Sequence, residues 1–118
     1  MLGVIALCLT LFTPQRRDPI SGSCLRPHWE RNLYAILEGM LREGLILEGD
    51  IVDSGAHTGA GSCWLACTAP SRQILAVEPS ANNIDYMMRT YKNATFHLSN
   101  MHVIHALLGS KQGIVTVP

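Results

Sequence analysis

The sequence predicts an α/β fold with a mostly parallel sheet, corresponding to half of a doubly wound domain. Short apolar runs of strand length alternate with stretches of helical periodicity, an order that builds consecutive βαβ units with right-handed crossovers. A glycine-rich loop follows the first of these runs, and an acidic residue follows the next. In open α/β sheets, ligands bind at these carboxyl ends of the strands.

The composition fits one domain, or part of one, with a small-molecule partner. The chain has 118 residues, and nine basic residues balance nine acidic ones. Because the formal net charge is zero, we expect no binding of nucleic acid through an overall field. The four cysteines form no Cys-x-x-Cys pair and stand beside no histidine at zinc-finger spacing, so we expect no metal site. Cys63 and Cys67 are interpreted as buried thiols on one helical face.

Residues 1–27 are predicted to precede the domain as an apolar segment and a linker. Residues 1–12, MLGVIALCLTLF, fall short of the roughly twenty residues that span a bilayer as a helix. They fit a truncated signal anchor, a weak signal peptide or a buried first helix, and they are a candidate for membrane association. The compartment is therefore undecided between the cytoplasm and a secretory or membrane-anchored location. Residues 13–27 contain three prolines and no periodicity, which is typical of a linker.

The partial domain is predicted over residues 28–118 and begins with a helix. Apolar residues between positions 28 and 44 recur at the spacing of one helical face, and Gly44 can end that helix. Ile51 and Val52 begin a short buried strand that stops at Asp53. Small and apolar residues then predict a helix over 60–68.

Three more elements complete the predicted half-domain. QILAV, at 73–77, has the continuous apolar character of a parallel strand covered on both faces. Ser80 can cap a helix in which Met87 and Met88 are interpreted as core residues. Residues 102–109 predict a third strand that runs into a loop, and the turn and β-branched run that follow predict a C-terminal hairpin.

The loop DIVDSGAHTGAGS, residues 50–62, combines an acid with three glycines. Gly55 would permit a sharp turn, and Gly59 would let the next helix approach a ligand because glycine has no Cβ. Glu78 follows Asp53 by twenty-five residues, near the spacing at which nucleotide-binding folds place a carboxylate on the ribose hydroxyls.

Two ligand classes fit this loop. The spacing G-x-x-x-G-x-G also occurs in short-chain dehydrogenases, so an NAD-binding oxidoreductase fragment is an alternative. Asp53 would face the phosphates of such a dinucleotide, whereas it can serve the amino group of a methionine moiety. Local electrostatics therefore favour a sulfonium, amino-acid-like ligand.

Three motifs resemble the FkbM-type family of S-adenosylmethionine-dependent methyltransferases. They are GDIVDSGAHTG, AVEPSANNIDYM and HALLGSKQGIVTV, and together they extend from about Glu48 to Val117. The resemblance implies a Rossmann-like class I methyltransferase half-domain, S-adenosylmethionine as cofactor, and O-methylation of a small molecule, sugar or lipid. Enzymes of this family have further strands after the third, so the chain is expected to be an N-terminal portion. A non-catalytic methyltransferase-like fragment is the alternative.

The resemblance also assigns cofactor-binding positions. Glu78 would hold the ribose, and His105 and Ala106 would lie on the adenine side. His57 is interpreted as a loop residue whose backbone binds, and no residue is assigned as the catalytic base. The methionine side would be lined by Asp53, Gly55, Ala56, His57, Thr58 and Gly59.

Overall fold

The computed structural model describes residues 5–8, 30–93 and 97–117. The predicted linker lies outside these residues. The described chain forms, in order, β1 (Ile5–Cys8), α1 (Arg31–Arg42), β2 (Ile51–Ser54), α2 (Ala60–Thr68), β3 (Ile74–Glu78), α3 (Ala81–Tyr91) and β4 (Met101–His105).

The strands form one parallel sheet in the order β1-β2-β3-β4. Ile51 is level with Ile74, which in turn is level with Met101. The predicted α/β class with a parallel sheet is therefore confirmed. Part of the N-terminal apolar segment supplies strand β1 rather than the helix considered for it. The order runs without reversal, so the described sheet resembles one wing of a doubly wound sheet.

The core lies on one face of the sheet. All three helices contribute buried side chains to a single cluster with alternate residues of the strands. The rings of Tyr34 and Trp64 meet edge to face, with centroids 4.9 Å apart, which joins α1 to α2. The core residues include Tyr34, Leu37, Ile51, Trp64, Leu65, Ile74, Ala76, Met87, Tyr91 and Met101.

The other face of the sheet is only partly covered by the described residues. Val52 and Leu75 are half-buried there, and His102 and Ile104 are exposed. β3 itself is buried along its length except for Leu75, which is half-buried, and Val77 on this second face is only 4% exposed. The prediction that β3 is covered on both faces is therefore confirmed, and the exposed positions on this face lie on β4.

The predicted C-terminal hairpin is also wrong. None of the described residues after β4, 106–117, belongs to a strand. A β-branched run forms a strand only where a partner offers a hydrogen-bonding edge and a surface to pack on. Ile114 and Val115 are instead exposed to solvent.

Hydrogen bonds to backbone carbonyls stabilise the C-terminal ends of α1 and α2. Gly44, at φ +67°, donates its N–H to the Leu41 carbonyl, and Leu45 N–H bonds the Met40 carbonyl. This pair of bonds is a Schellman motif and confirms the predicted role of Gly44. Near the end of α2, the Ala66 carbonyl accepts a 2.9 Å hydrogen bond from the side-chain amide of Asn100, which directly precedes β4. This bond connects α2 to the start of β4.

Three residues do not match the roles predicted for them: Met88, Cys63 and Cys67. Met87 is buried as expected, but Met88 on the next position of α3 is exposed. Cys67 is an exposed free thiol, and Cys63 is buried in a disulfide, so the interpretation of both as buried thiols is wrong.

Among the described residues, no helix is long and apolar enough to cross a membrane.

Candidate functional site

Asp53 lies near the carboxyl end of β2 and is almost completely buried, with 1% of its surface exposed. Its Oδ2 accepts a 2.6 Å hydrogen bond from the Ser62 hydroxyl in the first turn of α2. Its Oδ1 is buried and has no hydrogen-bond partner. Burial raises the pKa of Asp53 to about 6; the Ser62 hydrogen bond opposes this rise, whereas the carboxylates of Glu30 and Glu78 add to it.

The turn after β2 bonds to β3 through its backbone. Gly55 and Ala56 both donate their N–H groups to the Val77 carbonyl, at 2.9 and 3.0 Å. Gly55 has φ +77°, which requires the conformational freedom predicted for it. His57 also has a positive φ, +54°, and its N–H donates to Glu78 Oε2 at 2.8 Å. The backbone N–H of His57 is therefore engaged by a protein acceptor, Glu78.

Gly59 serves packing instead of ligand approach. It adopts φ +79° at the start of α2. A Cβ at this position would lie 2.7 Å from both Cγ and Sδ of Met87 and 3.1 Å from Cε of Met101. The absent side chain thus makes room for the core between α2, α3 and β4. The prediction that Gly59 gives room to a ligand is not supported, because protein atoms occupy the space beside it.

Glu78 connects two segments of the site, the turn after β2 and the start of α3. It is 6% exposed and lies at the end of β3, next to β2 in the sheet. Its Oε2 accepts the N–H of His57, while Oε1 accepts the N–H of Ser80 at 2.9 Å and the side-chain amide of Asn83 at 3.2 Å. Ser80 is the N-cap residue of α3, as predicted, but its side chain makes no capping hydrogen bond. The carboxylate therefore fixes the turn after β2 and the start of α3 together.

The loop after β4 reaches the same end of the sheet. Ala106 donates its N–H to the Glu78 carbonyl at 3.2 Å. The His105 Nε2 lies 2.9 Å from the Pro79 carbonyl oxygen and, on that geometry, donates to it. The structure thus places His105 and Ala106 beside the loop after β3. Thr58 is half-buried in the turn after β2.

Four residues of this arrangement were not predicted as part of the site. Ser62 and Asn83 hold the carboxylates of Asp53 and Glu78, and Ser80 adds its backbone. Their positions in the first turns of the two helices that follow the acids are the signal that could have indicated them. Glu30, just before α1, acts on Asp53 from a part of the chain with no motif, so nothing in the sequence marked it.

The site has anionic character. Two buried carboxyl groups, Asp53 and Glu78, lie at neighbouring strand ends, and the Glu30 carboxylate also acts on Asp53. In the described part of the chain, no group of three or more histidine, cysteine or acidic side chains could hold a metal ion. Such an arrangement can accept hydrogen bonds from hydroxyl and ammonium donors and repels phosphate.

Comparison of the chain with family models, with curated proteins and with solved structures finds no match.

Proposed function

We propose that this chain binds the cofactor of an S-adenosylmethionine-dependent methyltransferase that acts on a hydroxyl of a small molecule, sugar or lipid. The observation that carries the proposal is the hydrogen bond between Glu78 and the turn after β2. Its carboxylate lies 2.8 Å from the His57 nitrogen, at the carboxyl ends of two adjacent parallel strands. That is where α/β folds bind nucleotide-like ligands.

The donor requirements of S-adenosylmethionine fit these residues. The buried, unpartnered Oδ1 of Asp53 can accept a hydrogen bond from a cationic donor such as the methionine ammonium. Oε2 of Glu78 accepts the hydrogen bond from His57 and retains a lone pair for a ribose hydroxyl. His105 and Ala106 would border the adenine. When bound, the cofactor supplies a methyl group on a sulfonium centre.

The turn is poorly suited to a pyrophosphate, which weakens the alternative of an NAD-binding oxidoreductase. Phosphate-binding loops present free backbone N–H groups to the anion. Here the turn's N–H groups donate to protein acceptors instead: those of Gly55 and Ala56 to Val77, that of His57 to Glu78, and that of Gly59 to Ala56. Two buried carboxyl groups nearby would add repulsion.

Methyl transfer requires in-line placement of an acceptor and, for a hydroxyl, a base that takes its proton. The described residues hold and orient the cofactor in this proposal, and none is assigned as the base. A second candidate is therefore a non-catalytic methyltransferase-like fragment. The segment after β4 packs little against the other described residues, and its exposed apolar side chains are Leu107, Leu108, Ile114, Val115 and Val117.

Calorimetric titration tests the proposal. We expect the chain to bind S-adenosylhomocysteine and not NAD. Binding of NAD without a response to S-adenosylhomocysteine would favour the oxidoreductase fragment, and binding of neither would refute a nucleotide site. A chain that binds S-adenosylmethionine but forms no S-adenosylhomocysteine with any small-molecule fraction of a cell extract would behave as the non-catalytic fragment.

A further inference from the structure

Two buried carboxylate oxygens in the described residues lack any hydrogen-bond partner: Oε2 of Glu30 and Oδ1 of Asp53. They come from separate parts of the chain, since Glu30 precedes α1 and Asp53 lies in β2. Buried polar atoms are nearly always paired, so each exception calls for an explanation. Two such exceptions on acids that interact electrostatically call for a shared explanation.

Glu30 and Asp53 interact electrostatically with each other and with the Tyr34 hydroxyl. The Glu30 carboxylate raises the pKa of Asp53, and burial, Asp53 and Glu30 together raise the pKa of the Tyr34 hydroxyl. Among the described residues, the charged or hydrogen-bonding groups that act on the Asp53 carboxyl are Ser62, Glu30 and Glu78, and none of them is a cation. Within residues 30–93 and 97–117, no basic side chain is among the groups that act on this carboxyl.

We propose that Glu30 and Asp53 together bind the ammonium group of the ligand, with Oε2 of Glu30 and Oδ1 of Asp53 as acceptors. The proposal deepens the proposed function, on which it rests, by adding Glu30 as a residue that selects ligands with a free amino group. An ammonium has three donors and can satisfy both oxygens at once. A sulfonium has no donor, and Ca²⁺ requires about six to eight oxygen ligands, more than this pair supplies.

The test compares two ligands that differ in the amino-acid part. S-adenosylhomocysteine carries the ammonium, whereas 5′-methylthioadenosine lacks the whole amino-acid moiety. For Glu30→Gln we expect affinity for S-adenosylhomocysteine to fall by about tenfold or more, as for loss of a charge-assisted hydrogen bond. Affinity for 5′-methylthioadenosine should be unchanged. Glu48→Gln, an exposed acid between α1 and β2, is the matched control and should leave both affinities unchanged.

The outcomes separate this proposal from the proposed function. If the wild-type chain binds both ligands and Glu30→Gln weakens neither, or weakens both equally, the role of Glu30 is overturned while the cofactor site stands. If the wild-type chain binds neither ligand, the proposed function fails, and this inference with it.

A measurement on the ligand-free protein tests the proximity of the two acids directly. Carbon-13 NMR of the Asp53 carboxyl should show a titration midpoint near the pKa of about 6. Glu30→Gln should lower that midpoint, because it removes a negative charge that disfavours ionisation of Asp53. Circular dichroism checks that the variant is folded. An unchanged midpoint in a folded variant would overturn the proposed pair.

Discussion

Replacement of Asp53 by asparagine should change how the stability of the protein depends on pH. Burial raises the pKa of this carboxyl from 3.8 to about 6 in the folded chain. The folded state therefore binds a proton more tightly than the unfolded state, and the associated stability is fully present below about pH 4 and lost as the pH rises through about 6. The asparagine side chain cannot ionise, although its amide carbonyl can still accept the Ser62 hydrogen bond.

The magnitude follows from the difference between the two pKa values, about 2.2, and from about 1.4 kcal/mol per pKa unit, which gives about 3 kcal/mol. The free energy of unfolding of wild type, minus that of Asp53→Asn, should therefore fall by about this amount between about pH 4 and pH 7.5. The difference between the two proteins is the useful quantity because it cancels the titration of all other groups.

Urea denaturation across this pH range measures the difference. Asp85→Asn removes an acid from the exposed surface of α3 and controls for the general effect of losing one charge. If the curves of wild type and Asp53→Asn run parallel from about pH 4 to 7.5, the carboxyl is not held in a desolvated environment, and the argument for a cation-binding site at Asp53 fails with it.

Three further substitutions test the packing and the hydrogen bonds around the site. Gly59→Ala should destabilise the chain by about 2–5 kcal/mol, because the backbone is left-handed there and the new Cβ would overlap with Met87. In a double-mutant cycle, Met87→Ala should restore the part of this stability that is lost to the overlap. Additive effects of the two substitutions would contradict the contact. Glu78→Gln should cost about 1–3 kcal/mol, because an amide cannot accept all the N–H groups that the carboxylate accepts, whereas Glu48→Gln should cost almost nothing. Asn100→Ala should cost about 1–2 kcal/mol in urea denaturation, and an unchanged midpoint would show that its amide does not hold the end of α2.

Local patterns predicted most of the elements. The helix over 60–68 was predicted at the bounds it has, since small residues after a glycine turn and a proline at position 70 define both ends. The adjacency of Asp53 and Glu78 could also be predicted, because consecutive parallel strands bring their carboxyl ends together. These inferences depend only on residues near one another in the chain.

Features that depend on distant partners could not be predicted. The packing role of Gly59 depends on Met87 and Met101, which lie on later elements. The electrostatic interaction of Glu30 with Asp53 depends on the folded chain, and no spacing rule in the sequence connects these two residues. The prediction of a C-terminal hairpin was wrong for a related reason. β-propensity describes how a side chain packs in a sheet and does not supply the partner strand.

Glu78 accepts hydrogen bonds from two segments of the chain, and this affects how sequence variation at the site should be interpreted. This carboxylate holds both the turn after β2 and the beginning of α3. A related protein that had lost its activity would therefore still keep an acid at this position, because folding requires it. Retention at position 78 would therefore be weak evidence of ligand binding. Asp53 is more diagnostic, since its second oxygen serves no protein partner, and a lineage that had abandoned the ligand would be free to replace it with an uncharged residue.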